Sequence, residues 1–224
     1  MNAKVKGSRL MLLLMSSLLL WKNVASQSKC IGRTDHWTTL PHLVQHAVTL
    51  SDNIHVLTSE LYQDFITLYS VDRDLYLKNM KSCHTASITT PLDKEQILKM
   101  KEKDMIILVI RLMSSWDNPL SHLIAQSVRL PKIPQRFMKK AELIREKMHY
   151  LLEGLEIMTR QVGLQDTDYA DYAIWTEPPS LQSAEGKDFI DTFHHLCHCF
   201  HRDIYIVDSL LKVLKAQVSH DRHN

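Results

Sequence analysis

Four stretches of this chain repeat their apolar residues every three or four positions, and the links between them are unequal: about twenty residues, a few, then about twenty again. Along 41–70, Leu43, Ala47, Ile54, Leu57, Leu61, Phe65 and Leu68 recur at three, four or seven residues and predict one apolar helical face, with Pro41 suited to its first turn. A second helix starts near Asp93, whose carboxylate can cap the first amides while Gln96 completes a capping-box-like pair. It runs through Ile97, Met100, Ile107 and Leu108 to Trp116, where Asn118-Pro119 ends or kinks it before a short continuation over 120–128. Pro131 and Pro134 mark a brief break. The third helix, 135–162, turns Met138, Ile144, Met148, Leu151, Leu155, Met158 and Val162 inward and stops at Gly163. The last, 186–217, aligns Phe189, Phe193, Leu196, Phe200, Ile204, Val207, Leu211 and Leu214. Only 5 glycines and 7 prolines interrupt the chain, and the expected fold class is all-α.

The link lengths choose the topology. A short connection between helices two and three makes them antiparallel neighbours. A helix of about 27 residues is roughly 40 Å long, whereas twenty extended residues reach about 66 Å, so each long link can return along the whole bundle. Two such crossovers around one tight turn predict a four-helix up-up-down-down bundle.

The N-terminus carries Lys4, Lys6 and Arg9 and then an apolar run from Leu10 to Trp21, too short to span a bilayer of roughly 30 Å. Val24 and Ser26 offer a cleavage pair, so residues 1–26 read as a signal peptide and 27–224 as one secreted domain in which thiols can oxidise. No later apolar run is long enough to cross a membrane. A net charge of +2 with interspersed signs argues against a nucleic-acid surface, which would need a basic stripe. Asn23, Asn53, Asn79 and Asn118 all lack the hydroxyl residue that N-glycosylation needs. The 4 cysteines allow about three pairings, and spacing does not choose among them.

Nothing in the chain reads as a nucleophile elbow, a P-loop, a dinucleotide fingerprint or a zinc-protease helix, so neither an enzyme nor a cofactor is expected. Asp166 and Asp168 read as solvated linker carboxylates. His194, His195, Cys197, His198, Cys199 and His201 form a dense group, but Cys197 and Cys199 lie about 200° apart on a helix and cannot both ligate one ion. His194, His198 and His201 share one stripe at i, i+4 and i+7, and His42 and His46 form an i, i+4 pair. A solvated histidine face and a weak zinc site are both open readings. The 10 methionines leave room for another function class, a secreted helical carrier of an apolar ligand.

Ten residues over 83–116 (Cys83, Thr85, Ile88, Thr90, Pro91, Ile97, Met105, Leu112, Ser115 and Trp116) fall at the spacing of a known signature. Leu-Leu-Glu-Gly at 151–154, Trp175 with Pro-Ser-Leu-Gln at 179–182, and Cys199-Phe-His-Arg-Asp-Ile extend the match over essentially the whole mature chain. The sequence resembles the prolactin and growth hormone family, and closely the prolactin-like branch known from rodent placenta. That resemblance implies a monomeric secreted hormone that associates single-pass cytokine-type receptors, of the prolactin-receptor or another kind. It implies a Cys83–Cys199 disulfide, and leaves Cys30 and Cys197 to pair with each other, stay free or bridge two molecules. It places His55, His194, His198, His201, Arg202 and Tyr205 on a first receptor face. It also reads Gly154, otherwise a sign of close packing or tolerated drift, as a notch for a second receptor.

The departures matter as much. Ala216 and Asn224 stand where the family usually has a terminal cysteine pair, and the position near His36 lacks a partner for Cys30. Tyr205, Ile206, Leu210 and Asp52 replace polar or charged residues of the receptor face, which leaves the choice of receptor open. Histidines at such a face imply binding that weakens between about pH 7.5 and 6.

Overall fold

The computed structural model describes residues 39–69, 83–182 and 186–220; the leader, Cys30, His36, residues 70–82 and Asn224 lie outside them. Four long helical rods carry the core: α1 (Leu40–Tyr69), the jointed pair α3 (Glu102–Ser115) and α4 (Asp117–Ser127), α5 (Gln135–Val162) and α8 (Lys187–His220). Short helices α2 (Lys94–Leu98), α6 (Asp166–Tyr169) and α7 (Pro179–Gln182) sit in the connections. No described helix is long and apolar enough to cross a membrane.

Cross-helix contacts give the directions. Ser51 meets Asp208 while Phe65 stacks on Phe193, so α1 and α8 are antiparallel. Trp116 bonds Asp203 while Gln217 bonds the Met100 carbonyl, so α3 is antiparallel to α8 and therefore parallel to α1. Lys140 reaches Glu60 and Asp64, and Tyr69 donates to the Pro131 carbonyl, which sets α5 antiparallel to α1. The topology is up-up-down-down, as the link lengths predict.

Local chemistry accounts for the boundaries. Asp93 accepts from the Gln96 amide at 2.9 Å and caps α2, but the Gln96 side chain takes the Leu92 amide at 3.0 Å, so the cap lacks the reciprocal bond of a capping box. The expected continuous helix from 93 to 116 is broken at Lys99–Lys101, and the carbonyl freed at Met100 accepts from Gln217. The helix breaks again at Trp116 and restarts with Pro119 in its first turn, where a missing N–H costs nothing. Gly163 ends α5 with φ +70°, a conformation in which glycine carries no Cβ penalty.

The core departs from the periodicity reading in α1. Leu68 is exposed and Leu43 and Leu57 are half-buried, while Val44, Val48, Ser51 and Thr58 are buried. This helix touches both α5 and α8, so it buries two stripes and not one. In α5 the buried aromatic is Phe137, and Met138 beside it is half-buried. Trp175 lies 5.1 Å from the His122 ring, while Arg111 and Ser115 bond the backbone of Asp168 and Ala173. These contacts pin the second crossover to α3 and α4.

Candidate functional site

The buried end of the candidate face is built around one carboxylate. Asp203 in α8 is fully buried and accepts from the Thr85 hydroxyl at 2.6 Å, the Trp116 indole at 2.8 Å and the Arg202 guanidinium at 2.6 and 2.8 Å. Arg202 also donates to Thr85 at 2.9 Å, so two of the three partners bond each other as well as the acid. Beside them the Cys83–Cys199 disulfide closes a separation of 116 residues and ties the first crossover to α8. His84 stands edge-on to Trp116 at 4.5 Å and bonds the Ser115 carbonyl at 3.0 Å; burial pushes its pKa down. Arg202, expected on the receptor face, is 40% exposed and has its guanidinium committed inward to Asp203 and Thr85.

The open part of the face is a seam between α1 and α8. His55, Ser59 and Tyr62 stand at i, i+4 and i+7 on α1, the same spacing as His194, His198 and His201 on α8. In antiparallel helices these stripes interleave. The Tyr62 ring lies 5.5, 5.8 and 5.2 Å from the rings of His194, His198 and His201, and its hydroxyl shares a 3.1 Å hydrogen bond with His198 Nδ1. Ser59 donates its one proton to the His55 carbonyl, so His201 Nε2 is the donor in the 3.1 Å contact with Ser59 Oγ. His55 packs 6.2 Å from His201 and 5.7 Å from Tyr205, and the seam ends where Asp208 accepts from Ser51 and Lys212. Tyr62, Ser59 and Asp208 escaped the sequence reading, although the repeated 4-then-3 spacing on α1 was there to be read.

His194 corrects that reading. It is 1% exposed, between Tyr62 and Phe65, so it belongs neither to a solvated stripe nor to a surface contact. The Tyr62 ring stands among the three histidines, which therefore do not converge on a point where zinc could sit. The described His, Cys and acidic groups that do converge are Cys83, His195 and Cys199, whose sulfurs are bonded to each other and are not thiolates.

The family model of the somatotropin hormone family matches residues 13–223, nearly the whole chain. The chain belongs to the somatotropin hormone family. This is a family of hormones and not of enzymes; its members are secreted and bind cytokine-type receptors. The family-type disulfide and bundle are both present in this somatotropin-family chain.

Burial, and then the neighbouring His55, hold the His201 pKa below the ordinary histidine value in this hormone. An unfolded chain binds that proton near pH 6.5 and the folded one resists it to lower pH, so the residue's stabilising share is whole above about 6.5 and is lost as pH falls through the folded value. Urea midpoints at pH 7.5, 6.5 and 5.5 should therefore decline, and His201→Gln should flatten the decline; equal slopes in both proteins would contradict the assignment.

Gly154 of the hormone is half-buried on α5, and a Cβ added there would meet nothing within 4 Å. Close helix packing therefore does not explain the glycine. Tyr150 and Ile157, both exposed, flank it on the same side of the helix. Gly154→Ala should raise stability by up to about 1 kcal/mol, since it removes helix-interior glycine entropy without a clash. A chemical-denaturation midpoint that falls would show that the backbone needs glycine there.

Cys197 is a buried free thiol in the core of the hormone, and burial pushes its pKa up to about 12. It has neither the exposure nor the thiolate character for exchange with another chain. Its candidate partner Cys30 lies outside the described residues. The apolar cavity it lines with Leu61, Phe137 and Phe200 offers about 10 Å³, against the few hundred that a carried ligand fills.

Proposed function

We propose that residues 1–26 are removed on export and that the mature monomer is a prolactin-like hormone that brings two single-pass cytokine-type receptors together. The observation that carries this reading is the pairing of two dissimilar surfaces on one rigid bundle. The first is the α1/α8 seam, where His55, His198, His201 and Tyr205 reach the surface; the second is the open Gly154 position on α5.

The seam recognises its receptor with the edges of imidazole and phenol rings. Val56 and Tyr205, half and more than half exposed, add an apolar component, and Lys212 holds the charges of Asp52 and Asp208. His194 and Arg202 act from behind: one supports Tyr62, the other Asp203. On this reading acid weakens receptor binding chiefly below pH 6.5, because His201 resists protonation above it. The test is a surface plasmon resonance screen of the mature chain against cytokine-receptor ectodomains, followed by His55→Ala and Tyr205→Ala against the ectodomain that binds. Both variants should lose at least about tenfold in affinity, as interface anchors do. Unchanged affinity in both would move the first receptor face elsewhere.

A further inference from the structure

The turn before α5 and the first half of that helix hold a concentration of positive charge that the bundle does not use. Residues 129–147 contain seven Lys or Arg and two acidic residues, a net of +5. The whole chain is +2, and the leader holds four of its cations (Lys4, Lys6, Arg9 and Lys22) and no acid, so the mature chain outside this segment is net −7. Binding to a polyanion would have to be local.

Two of the seven cations are spent. Lys140 is held by Glu60 and Asp64, and Arg129 by Gln126, the Leu181 carbonyl and the face of Phe189. Of the other five, Lys132, Arg136, Lys139 and Arg145 are exposed and Lys147 is half-buried, and none forms a hydrogen bond or ion pair among the described residues; Arg145 stands on the opposite side of α5 from Arg136. Arg136, Lys139 and Lys147 fall within about 80° of one another around α5 and span about 16 Å along it, and Lys132 stands in the turn that leads into the helix. No acidic residue stands in the first turn of α5 to neutralise them. Lys132 is the one described non-glycine residue with positive φ, at 58°, where glycine would sit with less strain.

We propose that Lys132, Arg136, Lys139 and Lys147 form a binding strip for a sulfated glycosaminoglycan. The shape selects this partner. A row about one side chain wide matches a linear polyanion, whereas Glu142 and Glu146, exposed along the flank beyond Lys139, would face a flat anionic membrane and be repelled by it. The proposal rests on the extracellular location proposed above; Lys147 lies about 10 Å from Gly154 along α5, so the test below leaves it unchanged and substitutes Lys132, Arg136 and Lys139, the last about 22 Å from Gly154.

Heparin is the probe, with the full-length chain expressed in cultured cells and purified. The native protein should bind immobilised heparin at 0.15 M NaCl. Lys132→Ala/Arg136→Ala/Lys139→Ala should lose at least about tenfold in affinity and flatten the log–log salt dependence by about two, the share of three ionic contacts. The control, Lys94→Ala/Lys101→Ala/Lys103→Ala, removes the same charge where lysines alternate with Asp93, Glu95, Glu102 and Asp104, and should stay within about twofold. Circular dichroism checks that both triples keep their helix. No binding by the native chain, equal losses in the two triples, undiminished binding to desulfated heparin, or tighter binding to phosphatidylserine vesicles than to heparin would each overturn the proposal.

Discussion

Replacing Cys83 and Cys199 together by alanine should lower the stability of the folded chain by about 4 to 5 kcal/mol. The magnitude follows from the 116-residue separation that the bond closes, because a cross-link removes more freedom from the unfolded chain as its loop grows. It rivals the whole net stability of many domains. Guanidinium unfolding of the two proteins measures it directly, and the thermal midpoint should fall by about 10 to 20 °C. Substituting both cysteines avoids a stranded thiol and separates the covalent link from cysteine chemistry. A loss below about 1 kcal/mol would mean that the first crossover is held in place by its other contacts, Thr85 to α8 and His84 to the end of α3.

Asp203→Ala should cost about 3 to 5 kcal/mol, since it strands the buried Trp116 indole and Thr85 hydroxyl and leaves the half-buried Arg202 guanidinium without its counter-charge. Asp203→Asn should cost less, about 1 to 3 kcal/mol, because its carbonyl oxygen still accepts while its amide opposes the guanidinium. The ordering of the two variants in urea unfolding is the informative readout. An alanine variant as stable as the native chain would show that the carboxylate's burial and its bonds offset each other completely. Thr85, Trp116, Arg202 and Asp203 all belong to the segments that resemble the family, and this node gives those motifs a role in folding.

Much of the scaffold could be read from residues alone, for physical reasons that also mark where reading failed. The last helix was legible because Phe189, Phe193, Leu196, Phe200, Ile204, Val207, Leu211 and Leu214 repeat with helical period and all are buried. Gly163 was legible because few residues other than glycine adopt φ +70° cheaply. The break at Lys99–Lys101 was not, since lysine and methionine are good helix formers and the compensating bond comes from Gln217 at the far end of the sequence. His194 was misplaced because hydropathy counts it as polar, yet it stands three and ten residues before Cys197 and Ile204 on a second buried stripe of α8. The contact with both α1 and α3 makes that helix bury two stripes, which no single-face reading anticipates. Residues of the seam were legible in part: the histidines stood out as a group, while Tyr62 and Ser59 looked ordinary until α1 was laid antiparallel to α8.

Whether one hormone molecule engages two receptor chains through unlike faces, as proposed, is read from the stoichiometry of the complex. Light scattering on size-exclusion peaks should give one hormone to two ectodomains for the native chain, using the cytokine-receptor ectodomain that the binding screen selects. Gly154→Arg, which fills the open position on α5 with a long cation, should hold the complex at one to one with the first affinity unchanged. A native complex that stops at one to one, or a Gly154→Arg complex that still reaches one to two, would contradict the proposal.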